Sequence, residues 1–341
     1  MQRQAIERVA KAIETIKAGK MVILIDDEDR ENEGDLMYAG ALSSPTLMNF
    51  MVKEARGLVC AALDRAGAER LQLTPMTDKN TSAHATAFTI SVDAKTARTG
   101  VSAYERHDTI ALLADPLSAP EDFVRPGHIF PLIAKDGGTL VRTGQTEGSV
   151  DLCRLAGLAP CGVICEVLKD DGTMARRDDL DKFSKLHNIP IVYIADLIEY
   201  RLQRESLVSR RKIEKGALFG AAVTIGEWVD HLGHTHRSVA FGEIGEESAV
   251  KFHLIDSDAA LLLDDRRFSG LLKAIEHLKQ NGGVLLLLEG GAKNAKKEFG
   301  IGAQILTRLG VKRFTLLATR EIDEPTPLAA FGLEMTGTKL F

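Results

Sequence analysis

The residues best able to do chemistry in this 341-residue chain stand in one run, Asp26-Asp-Glu-Asp-Arg-Glu-Asn-Glu-Gly-Asp35, directly after the apolar stretch Met21–Ile25. Seven carboxylates share ten positions there and repel one another. At the carboxyl end of a buried strand, such a cluster suits a hard cation with oxygen ligands. The alternative is a solvated acidic turn. An EF-hand does not fit, because a loop begun at Asp29 reaches Gly40 at its twelfth position, where calcium requires a bidentate Glu. Arg30, inside the cluster, offers a planar fork for carboxylates or for an anionic substrate.

Three further segments carry candidate groups. Arg125-Pro-Gly-His128 places a histidine after a rigid turn, suited to general acid or base work or to a plain hydrogen-bonded structural role. Arg142-Thr-Gly-Gln-Thr146 leads into a helix expected to carry Asp151 in its first turn. The N–H groups of that helix start, with Arg142, Thr143 and Thr146, would suit a phosphate. The segment lacks the Gly-Lys-Ser/Thr ending of a Walker loop. Glu166 emerges from the apolar strand Gly162–Cys165, either as a proton shuttle of raised pKa or as an edge-strand carboxylate facing water.

The elements that must position these groups follow from hydrophobic spacing. Ile6, Val9, Ala10, Ile13 and Ile16 recur at helical intervals up to Gly19. Met21–Ile25, Leu58–Leu63, Ala87–Val92 and Ile191–Ile194 read as strands, and Pro45–Ala55, Val150–Ala156 and Asp178–His187 as helices. Loops rich in Gly or Pro, at 125–128, 135–138 and 142–144, separate them. This mixture predicts an α/β (α+β) domain over 1–203, with a mixed sheet and helices around it. The charge-rich stretch Glu199–Lys215 is expected to be a solvated linking helix stopped by Gly216, with 204–215 as the linker proper. Beyond it, Val223–Val229, Arg237–Gly242 and Ala249–Ile255 read as an antiparallel meander. Helices at Asp265–Lys279 and Ala303–Leu309 alternate with strands Gly283–Leu288 and Phe314–Ala318, giving a smaller α+β domain over 216–341.

The acidic loop, Arg125–His128, Arg142-Thr-Gly-Gln-Thr-Glu147 and Cys165-Glu166, together with Thr99-Gly-Val-Ser-Ala103 and Asp170-Asp-Gly-Thr-Met-Ala-Arg176, resemble 3,4-dihydroxy-2-butanone 4-phosphate synthase. The likeness to this riboflavin-pathway lyase runs in unbroken order over residues 1 to about 200. It implies conversion of D-ribulose 5-phosphate to L-3,4-dihydroxy-2-butanone 4-phosphate and formate. It also implies magnesium, with manganese as an alternative, and a homodimer with sites shared between subunits. Carried over, Glu31 is a metal ligand, and Arg30 and Asp35 hold the sugar hydroxyls and carbonyl. Arg142, Thr143 and Thr146 hold the phosphate end, Glu31, Gly144, Gln145 and Glu166 also belong to the substrate-binding set, and His128 and Glu166 move protons. One position departs: where the family has a histidine as second metal ligand, this chain has Gln145. Its carbonyl oxygen suits magnesium, directly or through water, so an active synthase is expected rather than a crippled one.

The second half is similar in places to GTP cyclohydrolase II, at Thr224–Trp228, Leu232–His236, Ile301–Leu306 with Leu309-Gly-Val311, and Phe331–Glu334. That family requires a zinc held by three cysteine thiolates. The four cysteines here, Cys60, Cys153, Cys161 and Cys165, all precede residue 170. Lys251–Asp258 and Leu288–Asn294 occupy the places of the cysteine-bearing and arginine-bearing segments. His231, His234, His236 and His253 form a weak substitute, because on a strand His234 and His236 face one side and His231 the other. No zinc and no cyclohydrolase activity are therefore expected, and the domain would serve dimer contacts, stability or regulation. The competing readings are a bifunctional synthase and cyclohydrolase, and a catalytically silent flavin-pathway scaffold.

Composition narrows the classes. With 43 Lys+Arg against 48 Asp+Glu the net charge is −5, which speaks against nucleic acid as a partner. A hydrophobic share of 45% and a charged share of 27% are ordinary globular values. No apolar run is long enough for a bilayer, and the N-terminus lacks the apolar core of a secretory signal. A cytoplasmic enzyme acting on a small sugar phosphate is expected.

Overall fold

The computed structural model describes residues 2–205, 207–289, 295–319 and 331–341. The chain divides into two compact units, Met1–Tyr200 and Arg201–Phe341.

The first unit contains α1 (Gln2–Lys17), β1 (Val22–Ile25), β2 (Gly34–Ala39), α2 (Pro45–Glu54), β3 (Cys60–Leu63), α3 (Arg65–Arg70) and β4 (Val92–Ala94). These are followed by α4 (Ala103–Ala114), β5 (Phe123–Ile133), α5 (Gln145–Leu155), β6 (Cys161–Glu166), α6 (Arg177–His187), β7 (Ile191–Tyr193) and the start of α7 (Ile194–Arg204), which continues past Tyr200. Among the described residues the strands form one mixed sheet in the order β4-β5-β3-β6-β2-β1-β7.

Strand alternation divides this sheet between two cores. Ile23, Ile25, Leu36, Tyr38, Ala61 and Val163 pack on one face with Met48 and Met51 of α2, Ile110 and Leu113 of α4, and Leu180 of α6. Val22, Leu24, Met37 and Ile164 pack on the other with Val9, Ala12, Ile13 and Ile16 of α1, Leu152 of α5 and Leu197 of α7. Covered on both faces, β1 needs apolar residues at every position, which is why it reads as an unbroken run. Each such side chain contributes about 1.5–3 kcal/mol on burial. Helix α2 starts where Ser44 accepts from the Leu47 N–H and Pro45 takes the first helical position.

Several local expectations are corrected. Arg125–His128 is not a free loop: Val92 pairs with Ile129 and Asp93 with Val124, so the segment is a bulge within β5. Residues 87–91 make only isolated bridges, and the strand itself is Val92–Ala94. Helix α5 begins at Gln145, so Asp151 lies beyond its first turn; it is buried and accepts from the Thr139 N–H and hydroxyl.

The second unit holds β8 (Val208–Leu218), β9 (Ala221–Asp230), β10 (Thr235–Phe241), β11 (Glu247–Leu254), α8 (Asp258–Leu262) and α9 (Asp265–Asn281). It continues with β12 (Gly283–Leu288), α10 (Ala295–Arg308), β13 (Arg313–Ala318) and β14 (Glu334–Leu340). The sheet order is β14-β13-β11-β12-β10-β9-β8. The expected linking helix is overturned here. Helix α7 stops at Arg204, and Val208–Leu218 pairs antiparallel with β9 as an edge strand. Its charges are solvated as foreseen, but they protect a sheet edge rather than a helix surface. The meander is also corrected. Strands β8, β9 and β10 are antiparallel neighbours, but β12 inserts between β10 and β11, and β11 runs parallel to it. Leu271, Ala274, Ile275 and Leu278 of α9 close one face of this sheet over Val239, Phe241 and Leu285.

Candidate active site

One end of the first sheet gathers the acidic residues. Ile25 ends β1 opposite Gly34, which begins β2, so residues 26–33 form the connection between two antiparallel strands. The buried Asp26 carboxylate pins that loop: Oδ1 accepts from the Glu33 N–H at 2.9 Å and Oδ2 from the Glu31 N–H at 3.1 Å. Arg30 Nη1 donates to Asp26 Oδ2 at 2.7 Å and stands 3.0 Å from Glu31 Oε2. The same nitrogen donates to Gln145 Oε1 at 2.9 Å, which ties the loop to the first turn of α5. Arg176, just ahead of α6, donates to the carbonyls of Glu31 and Asn32.

Asp35 and Glu166 are directly opposite one another on β2 and β6. Side chains so paired have Cβ atoms about 4.5–5.5 Å apart. Glu166 Oε2 accepts from the Leu58 N–H at 2.8 Å. Gly57 makes this possible, since a Cβ there would stand 2.5 Å from both the Glu166 carbonyl oxygen and Oε2. Asp35 is 4% exposed, and its Oδ1 is buried without a hydrogen-bond partner among the described residues. Burial, then the neighbouring charges of Glu166, Glu31, Glu33 and Asp26, raise its pKa well above the usual carboxylate range. A proton therefore resides on this carboxyl far more readily than on a solvated one. Glu166 ends a central strand, so the edge-strand reading fails.

His128 sits in the β5 bulge and is bonded to Asp93 rather than to the acidic loop. Asp93 Oδ2 lies 2.7 Å from His128 Nδ1, and Oδ1 accepts from the His128 backbone N–H at 2.8 Å. Nδ1 facing a carboxylate carries the proton, which leaves Nε2 as the working nitrogen. Gly100, at φ +74°, lies against this pair, and a Cβ there would fall 2.0 Å from Asp93 Oδ2. This contact accounts for the position of the Thr99–Ala103 segment beside the histidine.

At the start of α5, Gly144 is the extended cap residue and offers no side-chain cap. The N–H groups of the first turn are thus available to an anion. Arg142 Nη1 donates to Glu147 Oε2 at 2.6 Å, and Glu147 Oε1 accepts from the Lys135 N–H at 3.0 Å. Arg142 Nη2 also reaches the His84 carbonyl and Thr86 Oγ1. Thr146 and Gln145 are buried in the first turn, while Thr143 is exposed and has no side-chain bond among the described residues.

Arg30, Glu31, Asp35, Gln145 and Glu166 are thus brought to one sheet end, with Arg142, Gly144 and Thr146 at the adjoining helix start. Asp26 and Glu147 stood within quoted motifs without an assigned role, and Asp93 was not singled out at all; each bonds a candidate site residue. Glu147 lay within a quoted motif, whereas Asp93 had no local signal, because its partner is 35 residues away. The four thiols are buried; burial pushes Cys161 up to about 12, so none is a ready nucleophile or metal ligand. In the second unit, His234 Nδ1 and the fully buried His236 Nε2 lie 3.1 and 3.4 Å from Asp230 Oδ2. Among the described residues no three His, Cys, Asp or Glu side chains converge on a metal-sized space. Of the Leu288–Asn294 segment, residues 290–294 lie outside the described residues.

Comparison with known proteins gives the family. Residues 10–200 match the family model for 3,4-dihydroxy-2-butanone 4-phosphate synthase, and residues 245–339 match that for GTP cyclohydrolase II. The chain is similar to a Wolinella succinogenes protein named 3,4-dihydroxy-2-butanone 4-phosphate synthase, 50% identical over 333 residues, 97% of this chain and 96% of the relative. It is similar in structure to RibBX from A. baumannii, described as a two-domain synthase of the same name. The TM-score is 0.85, with 37% identity over 98% of this chain and 99% of the other. A structure of 3,4-dihydroxy-2-butanone 4-phosphate synthase in complex with two magnesium ions matches 57% of this chain and 97% of its own, with 36% identity and a TM-score of 0.55. The chain belongs to the 3,4-dihydroxy-2-butanone 4-phosphate synthase family, with a GTP cyclohydrolase II-like domain as its second half.

Proposed function

We propose that the chain is a magnesium-dependent lyase that converts D-ribulose 5-phosphate to L-3,4-dihydroxy-2-butanone 4-phosphate and formate. The observation that carries this reading is the meeting, at one sheet end, of a pinned acidic loop, a paired Asp35 and Glu166, and the anion-ready start of α5. The two products together contain all the atoms of the substrate, so no second substrate is needed.

The residues present fit a hard cation. Glu31 offers a partly exposed carboxylate, and Asp35 a buried oxygen without a partner. Magnesium is commonly held through one or two carboxylates while keeping several waters. Glu31 would hold the ion, with manganese as an alternative. When bound, it supplies polarisation of carbonyl and hydroxyl oxygens. Arg142, Thr146 and the α5 N–H groups hold the phosphate end, with Thr143 and Gly144 on the approach. Arg30 and Asp35 orient the sugar oxygens. Glu166 and His128, the latter held by Asp93, exchange protons with carbon and hydroxyl groups as enolisation, loss of water, the carbon shift and the return of one water in the hydrolysis that releases formate proceed. A homodimer with shared sites, in the cytoplasm, is part of this reading.

The second unit has no cysteine, so its contribution is structural or regulatory rather than a zinc-dependent cyclohydrolase. Formate detection on incubation with ribulose 5-phosphate and magnesium tests the assignment. No turnover at saturating metal would refute it.

A further inference from the structure

Gln145 stands where the resemblance places a second metal ligand, yet its amide is already oriented for another task. Oε1 accepts from Arg30 Nη1, the nitrogen that also donates to Asp26 and contacts Glu31. A cation on the remaining lone pair of Oε1 would stand beside the guanidinium, where like charges repel. A neutral amide, unlike the Glu31 carboxylate, offers no net charge to offset that repulsion. The other end of the same amide is the telling one. Gln145 is 5% exposed, and its Nε2 is buried without a hydrogen-bond partner among the described residues. A buried donor left unsatisfied is costly, so an acceptor is missing from this position.

We infer that Gln145 is a substrate-binding donor rather than a metal ligand: Oε1 clamps Arg30, and Nε2 donates to a hydroxyl or carbonyl oxygen of the bound sugar phosphate. The inference rests on the proposed reaction and deepens it. The metal then depends on Glu31, with water and substrate oxygens completing its shell. Turning the amide over does not rescue a ligand role, since Nε2 would then face the Arg30 N–H, donor against donor.

The test uses the full chain and Mn2+ alone as the metal probe, followed by electron paramagnetic resonance. Gln145→Met removes both amide groups at similar volume, and Gln145→Leu is a second apolar replacement should the first fail to fold. The expected result is an Mn2+ dissociation constant within about twofold of the parent, against at least tenfold weakening in Glu31→Gln. KM for ribulose 5-phosphate should rise at least tenfold, with the magnesium activation midpoint unchanged. Mn2+ binding weakened tenfold in the Gln145 variants, or an unchanged KM, would overturn the inference. Formate release by the parent is scored separately, so failure of the reaction itself is told apart from misplacement of Gln145.

Discussion

Burial and neighbouring carboxylates alter the chemistry of Asp35. Its folded pKa lies above the unfolded value, so the folded state holds the proton more tightly. Stability of the metal-free protein should therefore fall as pH rises from the unfolded value, about 4, through the folded one. Asp35→Asn should remove that slope and raise the melting temperature near neutral pH by about 2–4 °C, corresponding to about 1 kcal/mol. It should also abolish formate release. Thermal melts across pH, paired with the assay, separate these effects. His128→Gln should lower kcat by about 10²–10⁴-fold, as loss of a general acid or base does. Asp93→Asn should lower it less, since it disturbs the orientation of the ring rather than removing it. Asp35, Glu166 and Arg142 were legible because each lies in a contiguous motif. Asp93 was not, because a bulge in β5 brings His128 to it from a distant part of the chain.

At the scale of elements, the long apolar strands and amphipathic helices were legible, because burial on both faces or along one stripe imposes the pattern directly. Val208–Leu218 was not. An edge strand needs so little burial that its charges mimic a solvated helix, and only the pairing with β9 decides. Strand order was equally hidden, since β12 reaches its place between β10 and β11 by tertiary packing. The β9–β10 turn depends on Asp230, whose Oδ1 accepts from the Leu232 and His234 N–H groups at 2.8 Å. Burial opposes its ionisation, but the neighbouring His236 ring, 3.4 Å away, and the bonds from His234 and Leu232 outweigh this and hold its pKa below the usual range. Its stabilisation is full above the unfolded value of about 4 and is lost as pH falls through the folded one. Asp230→Ala should destabilise the second unit by about 1–3 kcal/mol and flatten its acid unfolding, measured by circular dichroism between pH 2 and pH 7, a range of roughly five pH units.

For the whole molecule, the question is how many activities two units support. The second unit matches a cyclohydrolase model, yet all four cysteines are buried in the first. Incubation with GTP and zinc should release no pyrophosphate, and phosphate detection coupled to an added pyrophosphatase checks it. The central claim concerns the first unit. Its most direct measurement is formate released from ribulose 5-phosphate by the full chain with magnesium, alongside Glu31→Gln. The account predicts stoichiometric formate from the parent and background levels from the variant. No formate at saturating magnesium, or equal release from both proteins, would contradict it.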